Sequence, residues 1–276
     1  MWLKGGEVLA TVRIFIPLFN AQEFILDTLK SVSAQTYTDW DCVISDDKST
    51  DNSVEIVKQY IKNDSRFNLI LNEKHLNVAS NWNLSKVNNN SVATKILCSD
   101  DVLYPNCIEH QLKVLKDNKT SAVFSRRDIC LPSGRKITPH TPLYGKRISA
   151  KNAFGKYINS GRNIFGEPVS ALFDTRDLLE SNGFSELHQY TLDLSGYFEI
   201  TKNKFITLDK EIVGYFRVSK KQWSYRIKHN QNLAQLEFKQ FLIQNNYANS
   251  TKLGFLVGEI KGRIFTLLRA IIYRFS

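Results

Sequence analysis

Asp100 and Asp101 are adjacent carboxylates that directly follow the apolar run Val92 to Cys98. A short apolar run with Asn-rich sequence before it and acids after it predicts a buried strand. Acids at the carboxyl end of such a strand lie where open α/β sheets bind ligands. Neighbouring carboxylates repel each other unless a cation or N–H donors hold them. Mg2+ or Mn2+ carrying a diphosphate suits the pair, because a small hard cation takes a few carboxylates plus phosphate oxygens. The competing reading is a solvated loop with a helix N-cap, since Pro105 soon opens a helix.

The surrounding pattern predicts the elements that position this pair. Val12 to Pro17, Trp40 to Ser45, Phe67 to Leu71, Val92 to Cys98 and Ser121 to Ser125 read as strands. Between them, Ala21 to Gln35 carries Phe24, Ile25, Leu29 and Val32 at helical spacing. Ser53 to Lys62, opened by a capping-box variant Asn52-x-x-Glu55, Val78 to Val87, and Pro105 to Lys116 also read as helices. This βαβα order predicts an α/β fold with a mostly parallel, doubly wound sheet. Arg126 to Tyr144 reads as a hairpin and loop, rich in Pro and Gly. Beyond it come a strand at Val169 to Phe173, helices at Arg176 to Asn182 and Tyr190 to Thr201, and strands at Phe205 to Leu208 and Ile212 to Arg217. From Gln222 the chain reads as helical, with a break near Asn245 to Thr251.

Composition narrows the classes. With 276 residues and 42% hydrophobic content, the chain can bury a sizeable core in one domain plus an appendage. Its four cysteines have no CxxC spacing, so zinc is not expected, and Cys42 and Cys98 read as buried thiols of a reducing compartment. Met1 to Thr11 is too short and polar for a signal peptide, and no stretch of about 18 apolar residues predicts a spanning helix. A cytoplasmic chain is expected. The net charge of +10 is unevenly placed: residues 217 to 276 hold eleven Lys/Arg against Glu237 and Glu259, and the rest is near neutral. A basic tail on a neutral body predicts an anionic partner, and no recognised module points to nucleic acid.

Three motifs carry a resemblance. Ile14-Phe15-Ile16-Pro17-Leu18-Phe19-Asn20 is followed by Ser31-Val32-Ser33-Ala34-Gln35-Thr36-Tyr37, and then by Asp46-Asp47-Lys48-Ser49-Thr50-Asp51. Their order and spacing resemble the start of family 2 glycosyltransferases. Ser99-Asp100-Asp101 then falls where that family has its DxD-type metal motif. The resemblance covers about residues 12 to 217. It implies a GT-A, Rossmann-like fold that moves a sugar from a nucleotide-diphosphate donor with inversion. It implies a nucleotide-sugar half over 12–125 and an acceptor half over 126–220, with a basic helical tail over 221–276.

By the same resemblance, Pro17, Phe19, Asn20, Asp47 and Asp100 are nucleotide contacts, Asp47 accepting from a base N–H that uracil or thymine would present. Asp101 is the metal ligand for Mn2+ or Mg2+. Asp46 and Asp51 read as local helix-start acids, and Trp82 as a core residue. Inversion needs a carboxylate to take the acceptor's proton, and Asp193 is the position that matches, with Glu167 and Glu199 as alternates. Glu167 and Arg217 are candidate acceptor or diphosphate contacts, and Lys220 could share the latter role. The Gln-x-x-Arg-Trp motif of processive synthases is absent, which favours single-sugar transfer.

The tail pattern completes the reading. Leu253, Leu256, Val257, Ile260, Ile264, Leu267, Leu268 and Ile271 share one helical face, bordered by Lys252, Lys261, Arg263, Arg269 and Arg274. Such a helix suits the surface of an anionic membrane; the alternative is packing on the catalytic body or a second copy. The expected activity is transfer of one sugar, UDP-linked because uracil suits Asp47, to a saccharide or lipid-linked saccharide in cell-surface polysaccharide synthesis. It would take place peripherally on the inner face of the cell membrane. A nucleotidyltransferase on a related sheet lacks its Gly-rich phosphate loop after Pro17, and a non-catalytic binding scaffold is the third alternative.

Overall fold

The computed structural model describes residues 10–140, 144–185, 191–219 and 231–274. Lys220, Gln222 and Trp223 lie outside them, as does Tyr190, the expected start of a helix. One sheet runs in the order β3 (Phe67–Leu71), β2 (Trp40–Asp46), β1 (Val12–Leu18), β4 (Ala93–Ile96), β9 (Ala171–Asp174), β6 (Ala122–Cys130), β10 (Phe205–Arg217) and β5 (Val102–Leu103). Two short strands join it: β7 (Lys136–Ile137) beside β6 and β8 (Lys146–Ser149) beside β10.

The first half is the parallel arrangement that alternating strands and helices predict. β1 pairs in parallel with β2 and β4, and β2 with β3. The second half is mixed. β9 runs against both β4 and β6, while β10 is parallel to β6 and β8 antiparallel to β10. β8 and β9 therefore point the same way, and α5 (Ala150–Ser160) is the crossover that two such strands require. This unit has clear signals in the sequence. Ser149 accepts from Asn152 N at the helix start, and Gly161 ends the helix with φ +66°.

Helices cover both faces. On one, α1 (Ile25–Ser33), α2 (Ser53–Ile61) and α4 (Cys107–Asn118) bury Leu29, Val32, Val57 and Leu112 against Ile14 and Ile44. The Asn52 side chain makes no cap on α2; Asp51 Oδ1 accepts from Ser53 N at 3.0 Å instead. On the other face, α3 (Val78–Asn83), α5, α7 (Leu192–Thr201) and α8 (Gln231–Gln244) enclose an aromatic core. There Phe124 meets Tyr197 and Phe165 with ring centroids 4.9 and 5.1 Å apart. Each fully buried Phe contributes about 1.5–3 kcal/mol. Trp82 belongs to this core, edge-on to Phe184. Asn83 exchanges two hydrogen bonds with the Phe184 backbone, after α6 (Thr175–Glu180) has ended near Gly183.

A lysine lies between the two faces. Lys95 of β4 is fully buried, and its ammonium donates to Gln111 Oε1 and to the carbonyls of Val169 and Ala171 at 2.8–3.0 Å. Its three donors are thus all used, and they fasten α4 and β9 to β4.

The last helix, α9 (Lys252–Arg274), lies against α5. Gly254, Gly258 and Gly262 recur every fourth residue and face Asn159, the Ile158 carbonyl and Gly161. Any Cβ at Gly258 would overlap the Ile158 carbonyl, so close backbone approach dictates the glycine there. Lys239 of α8 bridges to Glu259 at 2.7 Å. With the glycines turned inward, Leu253, Leu256, Ile260 and Ile264 are left 52–70% exposed along the outer face.

Candidate active site

The carboxyl ends of β1, β2 and β4 lie side by side, because β1 pairs with both others. Their loops form the site. After β4, Leu97 N still bonds Phe15 O, and Asp101 N then closes a turn on Cys98 O at 3.1 Å. Thr28 of α1 fixes this turn from below, its hydroxyl donating to the carbonyls of Ser99 and Asp101 at 3.0 and 2.8 Å. The outcome is a cluster: Cys98 Sγ and one carboxylate oxygen each of Asp100 and Asp101 lie within 4.8 Å of one another.

Asp101 is 0% exposed. Oδ1 accepts from Arg217 N at 3.1 Å, while Oδ2 has no hydrogen-bond partner among the described residues. Burial, and after it the Asp100 charge, push this carboxyl well above the usual carboxylate range, against the pull of the Arg217 N–H. A buried carboxylate oxygen with no donor is costly. A divalent cation between these ligands would relieve it, so the residues present fit a metal. Arg217 closes the site: Nε donates to Asp100 O at 3.0 Å, a terminal nitrogen reaches Asp27 at 3.2 Å, and the guanidinium lies over Phe24.

The loop after β1 forms a second wall. Phe19 projects into solvent, and its ring meets His75 with centroids 5.1 Å apart. Behind them Asp47 is buried, its Oδ1 accepting from Leu76 N at 2.6 Å and its Oδ2 3.1 Å from His75 Nδ1. Asn20, at φ +48°, ties the loops after β1 and β2 together, accepting from Thr50 N and donating its own N–H to Ser49 Oγ. Pro17 lies on β1 opposite Ser45. Asp46 accepts locally from Ser49 N.

The opposite wall comes from the second half of the chain. Asp193 stands in the first turn of α7, with Oδ1 accepting from Leu194 N at 2.8 Å. Burial lifts its carboxyl from 3.8 to about 7; the Leu194 N–H opposes this and the Glu167 charge adds to it. Glu167 is paired with the buried Arg127. Glu199 accepts from Asn182 and Lys202, in an ion pair on the flank of α7. Cys98 lies within electrostatic reach of both the turn acids and this wall. Burial, then the charges of Asp101, Asp100, Asp193 and Glu167, raise its thiol well above the ordinary value.

Cys98 corrects the sequence expectation. It is half-buried rather than enclosed, and it joins the acids, whereas Cys42, Cys107 and Cys130 are buried. Its position within the turn that Asp101 closes was the available signal. His75 and Arg127 were also missed; each is brought in by a loop or strand remote in sequence, with no local motif to mark it.

The sequence model described as "Glycosyl transferase family 2" matches residues 13–171. The chain belongs to glycosyl transferase family 2. Similar proteins include the putative teichuronic acid biosynthesis glycosyltransferase TuaG of Bacillus subtilis (strain 168), at 31% identity over 45% of this chain and 49% of TuaG. WfgD of Escherichia coli, a UDP-Glc:alpha-D-GlcNAc-diphosphoundecaprenol beta-1,3-glucosyltransferase, is 29% identical over 50% of this chain and 54% of its own. The chain thus spans about half the length of the curated relatives it matches. Among solved structures, residues 1–349 of Staphylococcus aureus TarS with UDP-GlcNAc superpose with TM-score 0.67 over 88% of this chain and 68% of that one, at 14% identity. The mannosyltransferase PcManGT of Pyrobaculum calidifontis, with GDP-Man and Mn2+, gives 0.58 over 92% and 70%, also at 14%. At such identity the likeness shows the fold, and it is the family 2 glycosyltransferase fold that the motifs imply.

Proposed function

We propose that this chain transfers one sugar, with inversion, from a UDP-linked donor to a hydroxyl of a saccharide or lipid-linked saccharide during cell-surface polysaccharide synthesis. The observation that carries the reading is the buried Asp101 Oδ2, without a hydrogen-bond partner among the described residues, in a ligand cluster within electrostatic reach of Asp193. In this reading residues 12–125 hold the donor and 126–220 the acceptor. Phe19 and His75 flank the base, Asp47 and Asp100 bind the nucleoside, and Pro17 and Asn20 shape the loop. Asp101, with Asp100 beside it, holds Mn2+ or Mg2+, which supplies Lewis-acid neutralisation of charge on the departing diphosphate. Arg217 adds positive charge on the same side.

Asp193 takes the proton. Its Oδ1 is oriented by Leu194 N–H, so the proton of the acceptor hydroxyl passes to Oδ2 as the acceptor oxygen bonds to the anomeric carbon and the bond to the diphosphate breaks. A base that titrates near 7 is matched to this task. Glu167 and Arg127 line the acceptor side. The names of WfgD and TarS, one with a diphosphoundecaprenol acceptor and one bound to UDP-GlcNAc, support the donor and acceptor classes.

No helix among the described residues is long and apolar enough to cross a membrane. The exposed Leu253, Leu256, Ile260 and Ile264 stripe, with Lys252, Lys261 and Arg263 exposed around it, supports peripheral docking on the anionic inner face of the cell membrane. The deciding experiment is calorimetry of UDP, GDP and their sugars with and without Mn2+ or Mg2+. Metal-dependent binding of a UDP-sugar, followed by its transfer to a saccharide acceptor, is expected. Absence of nucleotide-sugar binding with either ion rejects the reading.

A further inference from the structure

Three ligand atoms, not two, are gathered in the turn after β4. Ligands at 2.0–2.6 Å from a shared cation lie at most about 5 Å apart. The mutual separation of Cys98 Sγ and the Asp100 and Asp101 oxygens, within 4.8 Å, meets that bound. The turn holding them is rigid on two counts: the Asp101 N–H closes it on Cys98 O, and Thr28 pins two of its carbonyls. Independently, the buried Asp101 Oδ2 has no donor among the described residues, which marks the cluster as suited to a bound ligand. Leu97 and Ile96 belong to the two cores, whereas Cys98 borders the aromatic core, partly exposed and with its Sγ among the acids' oxygens.

We propose that Cys98 is a direct sulfur ligand of the divalent cation, its thiol proton leaving to solvent as the cation binds, making a mixed sulfur–oxygen site that favours softer ions, Mn2+ over Mg2+ and Cd2+ over both. The physical reason is ligand softness. Carboxylate and water suit Mg2+ and Mn2+ alike, but a thiolate adds affinity for the softer ion and little for Mg2+. The inference rests on the metal reading of the proposed function and concerns which ion this chain selects.

The test is direct cation binding by the full-length protein with UDP present, using Cd2+, Mn2+ and Mg2+ as probes. Cd2+ should produce the sulfur-to-cadmium charge-transfer absorption, absent from Cys98→Ser. Disturbing the outer partners of a metal site already costs about 10–100-fold in affinity, so losing a ligand should lower the preference for Cd2+ over Mg2+ at least about tenfold. Cys98→Asp, an all-oxygen site, should bind Mg2+ and Mn2+ while giving no such band. Asp101→Asn should lose the band with Cys98 intact, which separates this site from the three buried cysteines. An absent band in a wild-type protein that still binds Mn2+, or unchanged ion preference in Cys98→Ser, makes Cys98 a wall residue only and leaves the metal reading standing. No binding of any of the three ions overturns both.

Discussion

The backbone N–H of Arg217 donates to Oδ1 of Asp101 across 3.1 Å, although 116 residues separate them in the chain. The last strand of the sheet thereby holds one oxygen of the proposed metal ligand and leaves the other without a hydrogen-bond partner among the described residues. Since the donor is a backbone group, no substitution at position 217 other than proline removes it. Asp101 is therefore oriented by the path of β10 itself.

Asp101→Asn should retain the fold, because the amide oxygen can still accept from Arg217 N and a costly buried charge is gone. UDP affinity in the presence of Mn2+ should fall at least about tenfold, more than loss of a mere supporting contact. Calorimetry with and without Mn2+ reads this. Equal metal-dependent affinity in wild type and variant removes Asp101 from the site.

Asp193→Asn should keep donor affinity and lower transfer by about 10²–10⁴-fold. The wild-type rate should rise with pH through about 7 as the carboxyl loses its proton, and the variant should lack that limb. Stability carries the opposite sign. Between the unfolded value near 4 and the folded value of about 7, the native state binds more protons, so rising pH costs stability until the folded group has ionised. The Asn variant's unfolding midpoint should be flatter over that window. Near-normal turnover would reassign the base to Glu167 or Glu199, each of which would first have to leave its ion pair with Arg127 or Lys202.

Lys95→Met keeps the length of the side chain but takes its charged donor from the Val169 and Ala171 carbonyls and from Gln111 Oε1, which keeps only the weak Cys107 Sγ donor. The expected loss of stability is about 2 kcal/mol or more, since each orphaned acceptor costs about 1–3 kcal/mol. Urea denaturation gives the measure. A loss below about 1 kcal/mol would mean that water or a shifted side chain satisfies Gln111 and the two carbonyls.

Leu256→Glu together with Ile260→Glu should abolish binding to anionic liposomes at low salt and leave the melting temperature within a few degrees, because both side chains are exposed. High salt should weaken the wild-type protein's binding as headgroup attraction is screened. Removing residues 252–276 is the poorer test, because the glycine face of α9 covers the end of α5. Gly258→Leu should destabilise by displacing the helix from Ile158. Liposome binding unchanged by the two glutamates assigns the stripe to another partner.

Local patterns in the chain disclosed the first half of the sheet and the acids after β4, because period and turn chemistry act over a few residues. Ser99-Asp100-Asp101 and Asp46-Asp47 could be read for that reason. What could not be read depends on contacts between distant segments. β9 takes a place between β4 and β6 that no local pattern encodes, and its insertion turns the second half mixed. β10 reads as two strands because its pairing with β6 shifts register between Leu208 and Ile212 and again before Tyr215. The N–H that orients Asp101 and the His75 that faces Phe19 are likewise settled by tertiary path. α5 and β8 are a different case: their cap residues Ser149 and Gly161 follow known rules, and those signals went unused.

The position of β10 also sets an order of events in time. It is the last strand of the sheet to be synthesised, yet it pairs with β5, β6 and β8 and supplies the donor to Asp101. Pairings of such long sequence separation form late, after loop closure has been overcome. A nascent chain that has emerged only through β9 already carries Cys98, Asp100 and Asp101, but Asp101 is not yet held by the Arg217 N–H. Donor-binding competence should therefore arrive in one step, when β10 docks, and not build up gradually during synthesis.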